Sequence, residues 1–204
     1  KASMSFDEGM AKINTTAQLT NPQLEQLRDN IIDIGVDQGA KNLYALPEAF
    51  EKIISQTGDV IQSQDILKSS IKGSKAGFTE QSVVADALAQ SLSLIGKENA
   101  NAQEVLDTFF AAKRVGAGEF KDFANYMPNL IASGKALGIT YKDVAGQFAY
   151  MTGKGFAAEK SATLLENAYT ALGKSDIQKG LKHAGVNIFD EKGAMRSFDK
   201  IFPE

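Results

Sequence analysis

Apolar residues along this chain recur at three- and four-residue intervals and are interrupted by glycine every one to two dozen residues, a pattern that predicts a succession of amphipathic helices. Asn21-Pro22 marks the first clear start, because Asn can cap the free amides and Pro suits the first turn; Leu24, Leu27, Ile31 and Ile34 follow on one face, and Gly35 is expected to end the helix. A second helix, Leu43 to Gln56, carries Leu46, Ala49, Phe50, Ile53 and Ile54, keeps Pro47 near its first turn and meets Gly58 as a C-terminal glycine. These two segments read as one antiparallel helical hairpin.

The next pair runs from Ser63 to about Lys72, with Ile66, Leu67 and Ile71 on a face, turns at Gly73 and Gly77, and restarts after a Thr79 cap through Val83, Val84, Ala87, Leu88, Ser91, Leu94 and Ile95 to Gly96. Asn101 and Glu104 have capping-box spacing ahead of Val105, Leu106, Phe109 and Phe110. After Gly116 and Gly118 comes the stripe Phe120, Phe123, Ala124, Met127. Pro128 predicts a break or kink before Leu130, Ile131 and Leu137, because an internal proline costs roughly 3 kcal/mol. Thr140 caps the start of a fourth pair, Val144 to Met151 and Ala158 to Leu172, joined at Gly153-Lys154-Gly155, and Ser175 opens a short helix ending at Gly185.

The device of polar cap, apolar face and glycine recurs at roughly 40-residue spacing, in the range of helical-pair repeats, although few identities recur with it. Beyond it the pattern changes. Val186 to Asp190 and Ala194 to Phe198 flank Glu191-Lys192-Gly193 as a small hairpin of strands, too short to stand in water without support. The expected architecture is all-α, successive antiparallel helical hairpins with a terminal β-hairpin. Its divisions are an N-terminal helix and linker over 1–20, a helical-hairpin core domain over 21–185, and the β-hairpin with a C-terminal extension over 186–204.

Composition narrows the functional classes. The 204 residues are 43% hydrophobic, enough for a buried core, and no apolar run approaches the roughly 20 residues of a membrane span. The chain starts at Lys1 without a signal-peptide pattern and reads as part of something longer. No cysteine is present, which removes disulfides, thiolate nucleophiles and sulfur-based zinc sites. The net charge is −3, and pairs such as Lys72 with Lys75 or Lys113 with Arg114 suit solvated helix ends better than a phosphate-binding stripe.

Candidate chemistry is sparse. Thr152-Gly153-Lys154-Gly155 lacks both the earlier glycine and the Ser or Thr after the lysine that a phosphate loop needs. His183, the single histidine, sits where a helix ends and favours a dipole or capping role. Glu119 with Asp122, and Glu48 with Glu51, have the spacing of paired acids but also the position of first-turn carboxylates. Asp190 to Gly193 lacks the alternating oxygen ligands of a calcium loop, and Asn14-Thr15-Thr16 matches a glycosylation acceptor without a secretory context. No residue is assigned to catalysis, a cofactor or a metal. Phe109, Phe110, Phe120, Phe123 and Tyr126 are expected in the core, or against a partner if one face is left uncovered.

The ordered series Phe123-Ala-Asn-Tyr-Met-Pro-Asn-Leu, Ala136-Leu-Gly-Ile-Thr, Val144 to Gly153, Ser161-Ala-Thr-Leu-Leu and Gly185-Val-Asn-Ile-Phe-Asp-Glu-Lys-Gly resembles the folded core of phage tail tape measure proteins. Phe6-Asp-Glu-Gly-Met through Leu27, Gly35, Phe50 and Gly58 resembles the beginning of the same domain. In that family the parent chain lies inside the tail tube, sets tail length during assembly and leaves ahead of the DNA. The resemblance therefore implies a virion structural protein of a phage or prophage, made in the bacterial host cytoplasm and acting in tail assembly, length determination and DNA ejection. It implies the tail tube protein, tail assembly chaperones and tail tip components as partners, with self-association, and carries over no catalytic residue. The residues by themselves also suit a bacterial helical scaffold that binds protein without catalysis.

Overall fold

A computed structural model describes residues 5–191, 193–196 and 201, and the described chain is helical up to His183 apart from short connections. The helices are α1 (Phe6–Ala17), α2 (Asn21–Asp37), α3 (Leu46–Thr57), α4 (Val60–Gly77), α5 (Gln81–Ile95), α6 (Ala102–Val115), α7 (Phe120–Lys135), α8 (Tyr141–Gly153), α9 (Ala158–Leu172) and α10 (Ser175–His183), with a 3₁₀ turn at Leu43–Ala45. Two compact units divide inside α6, between Asp107 and Thr108.

In the first unit α3 is the central element. Its amphipathic sequence buries Leu46, Phe50, Ile53 and Ile54, and it packs on α1, α4 and α5. α4 and α5 lie along one another, neighbours in sequence, whereas α1 packs chiefly along α3 and meets α2 through Arg28, which pairs with Asp7 at 2.7 Å. In the second unit α7 likewise packs most closely on α9, skipping α8, which touches both. Phe120, Phe123, Met127, Leu130 and Ile131 of α7 form the centre of that core with Val144 and Phe148 of α8 and Leu165 and Tyr169 of α9.

Local chemistry explains the helix starts. Ser5 and Glu8 exchange side-chain hydrogen bonds with each other's amides at α1, and Asn101 and Glu104 do the same at α6, both contacts there being 2.9 Å. Asp59 begins α4 by accepting the Gln62 amide at 3.0 Å, and this bond, with the Lys97 ammonium 2.7 Å away, holds its carboxyl below the usual carboxylate range. Thr140 accepts the Asp143 amide at α8.

Several expected boundaries are corrected. The cap of α2 is Thr20, whose amide and hydroxyl meet Gln23 Oε1; Asn21 lies one step inside, and Pro22 stays in the first turn. Gly35 does not end α2. A Cβ there would overlap Leu46 Cδ1 and lie 2.5 Å from Leu43 Cδ2, so the glycine lets α2 approach the following segment closely. Gly73 plays the same part inside α4, against Val84 and Leu106, and α4 starts at Val60 rather than Ser63. Thr79 does not cap α5; Glu80 precedes the helix, and the Thr79 hydroxyl is buried without a hydrogen-bond partner among the described residues. Ser175 is the first residue of α10, after Lys174.

Pro128 does not break α7, which continues to Lys135. The proline is buried along with the apolar residues on either side of it, and that burial offsets the missing hydrogen bond.

The terminal β-hairpin is also corrected. The Asp190–Gly193 turn closes, with Gly193 donating to the Asp190 carbonyl and Ala194 to Asp190 Oδ1, but only one isolated antiparallel bridge, Phe189 with Met195, follows among the described residues. The Met195 amide goes instead to the Leu137 carbonyl at 2.9 Å, so the returning segment leans on the end of α7 rather than extending a ladder. Lys192 and residues 197–200 lie outside the described residues.

α4 ends in an unusual way. Phe78, not Gly77, takes the left-handed conformation (φ 49°, ψ 43°), and its side chain is 96% exposed. A left-handed non-glycine residue costs about 1 kcal/mol or more, and this ring gains no burial in return. Phe78→Gly is expected to stabilise the chain by about 1 kcal/mol, read as a higher urea midpoint; a lower midpoint would show that the ring contributes to the fold.

Candidate interaction surface

The residues considered for catalysis are used locally. His183 Nδ1 lies 3.0 Å from the Lys179 carbonyl one turn earlier, in an exposed last turn. Asp122 accepts the Glu119 amide at 3.0 Å as part of the start of α7. Glu48 pairs with Lys52 at 3.1 Å, and Glu51 accepts the Ser55 hydroxyl at 3.2 Å. Asn14 closes the end of α1 through both side-chain atoms, to the Leu19 amide and carbonyl. Among the described residues no three His, Cys, Asp or Glu side chains are grouped to hold a metal, and no helix is long and apolar enough to cross a membrane.

Thr152-Gly153-Lys154-Gly155 is a helix C-terminus, opposite in polarity to a phosphate-binding helix start. The Thr152 hydroxyl is buried and donates to the Phe148 and Ala149 carbonyls at 3.1 Å, while the Lys154 and Gly155 amides fold back onto the helix end.

Of the aromatic set, Phe109, Phe120 and Phe123 are buried, and Phe110 and Tyr126 are half-buried. Phe110 stacks on Phe120 with centroids 4.0 Å apart, and Phe123 meets Phe148 edge-on at 5.0 Å. Phe109, Phe120 and Phe123 belong to the core, while Phe110 and Tyr126 keep part of their surface open.

Tyr169 ties that core together. Its side chain is buried and its hydroxyl donates to Gln147 Oε1 of α8. Burial first, and the Asp143 carboxylate second, push its phenol above the ordinary tyrosine range. An unfolded tyrosine loses its proton near pH 10 while the folded one keeps it, so the contribution of Tyr169 is complete below about pH 10 and is lost as pH rises beyond. Tyr169→Phe is expected to cost about 1 kcal/mol at pH 7 and to flatten the alkaline fall in stability; urea midpoints at neutral and alkaline pH measure both.

The exposed apolar surface lies elsewhere. Val115 ends α6 76% exposed, Tyr150 on α8 is 62% exposed, and Phe156 just before α9 is 40% exposed. The backbones that carry Val115 and Tyr150 meet at Gly116 and Gly153: a Cβ on Gly153 would sit 3.3 Å from the Val115 carbonyl, and one on Gly116 3.0 Å from Ala149 Cα. Lys154 lies 5.2 Å from the Tyr150 ring centroid and Lys160 5.5 Å from that of Phe156, each one turn away. Sequence reading passed over these residues although a signal was present. Tyr150 is about 200° around the helix from Phe148 at 100° per residue, on the side opposite the core stripe.

Residues 28–204 match the family described as phage-related minor tail protein. The chain is similar to the tape measure protein of Pneumococcus phage Dp-1, 23% identical over 200 residues, a match covering 96% of this chain and 17% of that protein. The chain thus spans about a sixth of the length of that relative. No solved structure matches the chain.

Proposed function

Because the chain belongs to the phage-related minor tail protein family, we propose that it is a structural segment of a phage or prophage tail tape measure protein. The observation that carries this reading is similarity along almost the whole chain, 96% of it, to a protein of that description. In this reading the segment is made in the host cytoplasm, is built into the virion tail, acts in assembly and length determination, and leaves with the parent at DNA ejection. Its partners are the tail tube protein, assembly chaperones, tail tip components and further copies of itself. The role is non-catalytic, in keeping with His183, Glu48, Glu119 and Asp122 serving helix ends and local pairs.

Physics limits how such a segment takes part in measuring. As one helix, 204 residues would reach roughly 300 Å at 1.5 Å per residue. The described helices run from 9 to 18 residues and pack on one another. The segment is a folded module, and the extended ruler belongs to other parts of the parent.

In-frame deletion of this segment from the parent gene is expected to abolish normal tails rather than to shorten them by the extended length. Infectious particles with unchanged tails would contradict the proposal. For the chain's own organisation we propose a leading segment 1–20, a core 21–185 and an extension 186–204, so that limited proteolysis cuts first near Gln18–Thr20 and Gly185; first cuts inside the core would count against it.

A further inference from the structure

We propose that the Val115–Tyr150–Phe156 surface is a docking site for the acidic face of α2 in a second copy of the chain. The inference deepens the self-association named above and rests on that reading. It begins with charge. Residues 1–107 hold 9 basic and 15 acidic side chains, net −6, while residues 108–204 hold 13 and 10, net +3.

The acceptor surface has the make-up of an interface centre: an aromatic pair and a valine in the open, with Arg114, Lys154 and Lys160 exposed around them. None of these three cations has an ion-pair partner among the described residues. Lys154 and Lys160 lie over the aromatic rings. Glu159, at the first turn of α9, leaves the surface net positive.

The occupant is chosen by complementarity. α2 carries Glu25, Asp29, Asp33 and Asp37 at every fourth position, a stripe about 18 Å long at 1.5 Å per residue. All four are exposed, and none has a hydrogen-bond or ion-pair partner among the described residues. Like charges at this spacing destabilise a helix, and no hydrogen bond or ion pair among the described residues offsets them. Val36, 61% exposed beside Asp37, gives the stripe an apolar contact of its own. Aromatic and valine side chains meeting Val36, with three cations meeting four carboxylates, make a contact that salt weakens. Since the two surfaces differ, it is head-to-tail, and each copy keeps one of each kind unused for another neighbour.

The test is sedimentation velocity on the 204-residue chain over a range of concentrations at low and high salt. The wild type is expected to form oligomers that grow with concentration and dissociate in salt. Asp29→Lys with Asp33→Lys in one variant, and Arg114→Glu with Lys154→Glu in another, are each expected to weaken association about tenfold or more. Each variant alone stays monomeric where the wild type associates, and mixing the two restores association, because the first keeps its aromatic surface and the second keeps its stripe. If charge reversal unfolds either chain, judged by circular dichroism, Tyr150→Ser and Val36→Ser replace it with the same expected loss. A wild type that stays monomeric throughout overturns self-association and the docking site together. Oligomers indifferent to all these substitutions leave self-association standing and overturn this surface.

Discussion

Phe148→Ala is expected to destabilise the unit of residues 108–204 by about 4 kcal/mol. The ring is fully buried on α8, meets Phe123 edge-on at 5.0 Å and 69°, and lies 6.2 Å from Tyr126. Truncation removes the buried area, leaves a cavity between packed helices and ends the edge-on pair. Since a domain is stable by about 5–15 kcal/mol, this change takes a large share of the margin. Thermal and urea melts followed by helical circular dichroism should show a lower first transition, with Phe148→Leu recovering more than half of the loss. A shift below about 1 kcal/mol would mean that α8 is not held in the core as described.

Gly116→Ala is expected to destabilise the same unit by about 2 kcal/mol. Gly116 does not adopt a left-handed conformation, so space alone excludes a side chain. A Cβ would overlap Thr152 Oγ1, already committed to two carbonyls, and would lie 3.0 Å from both Cα and O of Ala149. Backbone atoms in the middle of a packed helix cannot step aside as a flexible side chain can. Gly146 on α8 supplies the control. Nothing lies within 4 Å of a Cβ there, and Gly146→Ala should stabilise by up to about 1 kcal/mol through helix propensity. Opposite signs for the two substitutions, measured by the same melts, would establish that the turn after α6 sits against α8; equal signs would contradict it.

The apolar stripes were legible in the sequence because periodicity reports directly which face is buried. Phe120, Phe123, Ala124 and Met127, then Leu130 and Ile131, lie on one buried side of α7. Local capping was legible for the same reason: Asn101 and Glu104 need only each other's amides. Glycine was harder to read. Gly58 does end a helix in the left-handed conformation, yet Gly35 and Gly73 mark close approach by Leu43, Leu46, Val84 and Leu106, partners that no local window contains. Pro128 misled because the burial that offsets its cost comes from the packing of α7 within its unit, which no local window contains. The returning segment at Met195 could not be placed from its own pattern, since its amide is taken by Leu137, almost sixty residues earlier.

The interaction surface was the least legible part. Aromatic density pointed to Phe109, Phe120 and Phe123, which the core absorbs, while Val115, Tyr150 and Phe156 stand out only in the packed unit, where the backbones that carry Val115 and Tyr150 meet at two glycines. Exposure is a property of the assembled unit, and composition does not encode it.

The most direct test of the central claim, that this chain is a folded structural segment of a phage tail, is mass spectrometry of tails purified from particles of the phage or induced prophage that encodes it. Peptides from this segment are expected in the tail fraction, at a constant ratio to tail tube protein across preparations. Their absence from intact purified tails, with the same peptides abundant in the infected cell, would contradict the account.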